Sequence, residues 1–81
     1  MAGEVEAVRA ALRALEGISD PMERARATTE LLREWPELHR ELREVRQHAV
    51  ISAHGQGRTY DEIGEQLGTS GDRAGQIARG K

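Results

Sequence analysis

The chain has 81 residues, a net charge of −2, eleven arginines against one lysine, and no cysteine. That length holds one domain with a marginal core, and without cysteine neither a disulfide nor a Cys-based zinc site can reinforce it. No apolar run approaches the ~20 residues of a membrane span, and the opening MAGEVEAVRA lacks the basic-then-apolar pattern of a secretion signal, so a cytoplasmic protein is expected.

In chain order, Val5, Val8, Leu12 and Leu15 recur at spacings of three and four, which predicts one face of an amphipathic helix ended by Gly17. Asp20-Pro21-Met22-Glu23 then reads as a helix start: Asp20 caps, Pro21 suits the first position, and Glu23 completes a capping box. Ala25, Thr28, Leu32 and Trp35 form its apolar stripe, widened by Leu31. Pro36 has no N–H and restricts Trp35, so this second helix is expected to end or kink sharply there. Trp35 is expected to anchor the core or a dimer interface.

A third helix follows on the heptad-like seam Leu38, Leu42, Val45, Ala49 and Ser52, closed by Gly55 and Gly57. Arg40, Arg43 and Arg46 recur along it, interleaved with Glu41 and Glu44. They read as a solvated face or as contacts to DNA phosphates. His39, His48 and His54 are nine and six residues apart and share no helical face, so no metal site is expected.

Thr59 caps a fourth helix with Glu62 as its box partner, and Ser70 caps a fifth, with Asp72 suited to its positive N-terminal end. Between these caps the spacing is that of a helix-turn-helix. Ile63 and Leu67 face inward, Gly64 is small where the next helix crosses, and Gly68 supplies a turn needing φ > 0. Ala74 and Ile77 pack back. Such a unit places its second helix in a DNA major groove.

Thr59–Ile77 resembles the helix-turn-helix of bacterial sigma factor region 4. Thr59, Glu62, Ile63, Gly64, Glu65, Leu67, Gly68, Ser70, Arg73, Gln76 and Ile77 carry the likeness. The whole chain resembles the small sigma-like helix-turn-helix proteins common in actinobacteria. Gly71 and Gly75 stand where the family's recognition helix usually carries basic residues, and are read as gaps on the DNA-facing surface.

The charge is uneven. Residues 1–37 hold five arginines against eight acids, residues 38–58 four against two, and residues 59–81 three basic residues against four acids. The fold expected is all-α with about five helices: an N-terminal helical bundle over residues 1–55, forming a dimerisation segment, then a helix-turn-helix over 58–81. The function expected is a DNA-binding transcriptional regulator. Ser70, Arg73, Gln76 and Arg79 would face the groove, with Arg58 and Tyr60 near the backbone. The alternative is a protein-interaction module engaging RNA polymerase or another regulator. There is no cysteine nucleophile and no Gly-rich loop after a strand, and the carboxylates are spread along solvated helix faces, so no enzyme and no cofactor are expected.

Overall fold

The structure, a computed structural model, describes residues 3–81. Among them the chain is all-α, with four helices: α1 (Gly3–Glu16), α2 (Pro21–Gly55), α3 (Tyr60–Leu67) and α4 (Gly71–Ala78). None is long and apolar enough to cross a membrane. The chain divides into two compact units, Met1–Pro36 and Glu37–Lys81.

The helix does not end at Pro36. The predicted second and third helices are one 35-residue helix, α2, with Pro36 inside it. Proline removes one backbone bond, the one that would reach the carbonyl of Leu32. The helical residues on either side continue the ladder, and Leu32 itself is exposed. The division between the two units nevertheless falls at this proline.

The first unit holds α1 and the start of α2. Asp20 caps α2 as its sequence suggests, its carboxylate accepting from the Glu23 amide at 2.9 Å. Gly17 donates to the Arg13 carbonyl at 2.9 Å as α1 ends. α1 has no buried residue, and Val5, Val8 and Leu12 stand on its surface. Trp35 is 45% exposed, so it anchors no interior in the single chain.

The second unit carries the core, made of Val50, Ile63, Ala74 and Ile77, with Ala53, Tyr60 and Ala78 packed against it. Its three helix ends are built alike. Arg58 N–H bonds the Ala53 carbonyl and Gly57 N–H bonds His54; Thr69 bonds Gly64 and Gly68 bonds Glu65; Lys81 bonds Gln76 and Gly80 bonds Ile77. Each pair is the double bond of a Schellman motif, with glycine in the left-handed position. At Gly68 the backbone has φ 73 and ψ 29, which a residue with a Cβ adopts only at a cost.

Candidate nucleic-acid interface

The geometry of residues 59–81 starts from two caps. Thr59 sits in extended backbone and its hydroxyl accepts from the Glu62 amide at 3.1 Å. The same hydroxyl donates to the Glu62 carboxylate at 3.2 Å, so the side chains of the expected box do meet. Ser70 repeats the cap, accepting from the Arg73 amide at 3.0 Å. Two eight-residue helices therefore start at fixed points, and only Gly68, Thr69 and Ser70 separate them.

Glycines set how closely these helices approach. A Cβ on Gly64 would lie 2.4 Å from the Ser70 carbonyl oxygen, so the chain entering α4 passes directly over α3 there. This is the crossing the sequence predicted. Ala74 is fully buried and Ile77 nearly so, as expected of residues packing α4 back. Leu67 departs from expectation. It is 49% exposed, because α3 ends at that residue and the chain turns away at Gly68 before anything covers it.

Gly71 and Gly75 also correct the sequence reading. Neither is a gap on an outward surface. A Cβ on Gly71 would fall 2.0 Å from Oδ1 of Asp61, whose side chain occupies that space. Gly75 is buried, and a Cβ there would meet Tyr60 at 3.6 Å and Nη1 of Arg79 at 3.4 Å. Both positions face α3, so the small residues serve packing within the unit.

The outward surface of α4 is formed by Asp72, Gln76 and Arg79, all exposed and spaced by four and three residues, with Arg73 half-buried beside them. Arg73 donates from Nη1 to the Gln76 side-chain oxygen at 3.3 Å, so these two form one polar pair. Arg79 reaches back over Gly75 towards Tyr60. Tyr60 is half-buried and stacks on His54, ring centroids 4.0 Å apart and planes within 9°. His54 in turn donates from Nδ1 to the Arg58 carbonyl at 3.0 Å, which fixes the ring and its tautomer. The sequence reading did not foresee this stack; the signal available was one turn-closing histidine six residues before the only tyrosine.

Of the six residues expected at the interface, the structure pairs Arg73 with Gln76 and gathers Tyr60 and Arg79 about Gly75. Ser70 is exposed and occupied with capping. Arg58 is also exposed and lines an open apolar groove with Arg46, Val50, Ile63 and Leu67.

Comparison with protein families, curated proteins and solved structures finds no match to this chain. The functional reading therefore rests on the chain's own geometry.

Proposed function

We propose that residues 58–81 are a helix-turn-helix of the sigma region 4 kind and that the protein is a transcriptional regulator binding duplex DNA. The observation that carries this reading is the outward face of α4. A helix held by its cap and by buried Ala74 and Ile77 presents Gln76 and Arg79 outward beside Asp72, with half-buried Arg73 bonded to Gln76 at their edge. Glutamine can bond adenine bidentately in the major groove, and arginine can bond guanine or phosphate. The Tyr60 hydroxyl has no hydrogen-bond partner among the described residues and suits a phosphate oxygen.

Few base-reading side chains on one short helix imply weak binding per copy. We therefore place two copies on the DNA, joined through apolar surface such as Val5, Val8 and Leu12, each more than half exposed. Pairing supplies the second unit at high effective concentration. Sedimentation at micromolar protein should show a species heavier than the 9.0 kDa chain; a clean monomer throughout removes the pairing.

Titration against mixed duplex DNA at two salt concentrations tests the function. Binding that weakens steeply with salt supports it. In a selected site, Gln76→Ala should cost about 1–3 kcal/mol at one base position, with the salt slope nearly unchanged. A second reading, a module that engages RNA polymerase or another regulator through protein contacts, is favoured by the acidic balance of residues 59–81. It leads if no duplex binds at low salt.

A further inference from the structure

Beside α4, within the second unit, lies an open hollow of about 270 Å³. Arg40, Arg43 and Arg46 line it from α2 together with Glu44, and Lys81 lines it from the segment after α4. The Schellman motif at Gly80 brings Lys81 there. Its two backbone bonds, 3.0 and 2.9 Å, turn the chain off the helix axis, and Gln47 donates from Nε2 to the Ala78 carbonyl at 3.1 Å, tying that end to α2.

The four cations are not equivalent. Arg40 is bound by Glu37 and also lies 3.6 Å from Glu44, which neutralises it locally; Glu37 above all raises its pKa beyond the ordinary arginine value. Arg43, Arg46 and Lys81 make no ion pair among the described residues. Three unpaired cations around one concavity form a local positive field in a chain whose net charge is −2. Such a field suits a polyanion with regularly spaced phosphates, and Ile77 of α4 forms part of the same wall.

We propose that Arg43, Arg46 and Lys81 form a clamp for the DNA phosphate backbone alongside the groove that α4 enters. This rests on the reading of α4 as a DNA-binding helix. It assigns the division of labour: α4 reads bases, and the α2 hollow supplies the salt-dependent part of the affinity. The phosphate chemistry is shared with free inorganic phosphate, and the experiment separates the two sources.

The experiment measures duplex affinity across a salt series for the full chain, for R43A/R46A/K81A, and for R9A/R13A as a control of equal kind in the first unit. Alanine is the best helix former, so α1 and α2 tolerate these changes. Each lost phosphate contact should flatten log affinity against log salt by roughly 0.9, so the triple variant should lose about 2–3 from the slope and keep its base preference. The control should keep the parent slope. An unchanged slope in the triple variant, or an equal loss in the control, overturns the clamp while leaving DNA binding in place. Saturable micromolar binding of inorganic phosphate at constant ionic strength overturns it in favour of a small-anion site. Failure of the parent chain to bind any duplex overturns both the clamp and the reading beneath it.

Discussion

Residues 3–36 and residues 37–81 are written in similar amphipathic sequence, but they finish differently. In the second unit, apolar side chains from three helices converge on Val50, Ile63, Ala74 and Ile77, and every helix ends in the same glycine motif. In the first, no residue of α1 is fully buried, and Val5, Val8 and Leu12 remain on the surface. The difference lies in chain reversal as much as in hydrophobicity. Two tight glycine turns, at Gly57 and Gly68, fold the second unit's helices back on one another. The comparison teaches that the second unit closes a small buried core between three helices, whereas the first leaves the apolar face of α1 exposed.

The largest effect should therefore come from truncating the second unit's core. Ile77→Ala should cost about 2–5 kcal/mol, read by denaturant unfolding. Leu12→Ala on α1 should stay within about 0.5 kcal/mol in dilute protein and act on self-association instead. Equal losses from the two would break the contrast.

A sharper version uses two glycines of the same unit. Gly64→Ala places a methyl 2.4 Å from a backbone oxygen that cannot rotate away, and should cost about 1–3 kcal/mol. Gly75→Ala meets its neighbours at ordinary contact distances and should gain up to about 1 kcal/mol from helix propensity. Gly75→Arg should lose that gain, because the long side chain must displace Tyr60 or Arg79. Thermal melts of the three variants decide the order.

These glycines also show how far the sequence could be read. The caps at Asp20, Thr59 and Ser70, the left-handed turn at Gly68 and the crossing at Gly64 were all legible, because each depends on a few neighbouring residues. Pro36 does not end its helix, since a local helix-breaking preference yields when good helical sequence flanks it on both sides. Gly71 and Gly75 misled for a different reason. Their role depends on Asp61 and Tyr60, which approach through the tertiary fold rather than through helical spacing. In the candidate interface, the outward position of Gln76 was readable from its phase against Ala74 and Ile77, whereas its bond to Arg73 and the His54–Tyr60 stack required coordinates.

A smaller effect is expected at the cap of α4. Ser70→Ala leaves the Arg73 amide without its acceptor and should cost about 1 kcal/mol. Ser70→Asp should preserve the cap, and the added charge should weaken duplex binding by repelling phosphate. Stability and affinity measured together separate these two roles.

The central claim is that the second unit meets DNA through α4. Backbone amide shifts of the full chain, followed by NMR during titration with duplex DNA at low salt, test it most directly. The account predicts shifts centred on Arg73, Gln76 and Arg79, extending to Tyr60 and to Arg43 and Arg46, while Val5 to Glu16 stay unmoved. Shifts confined to Val5 to Glu16, or none at saturating DNA, would contradict it.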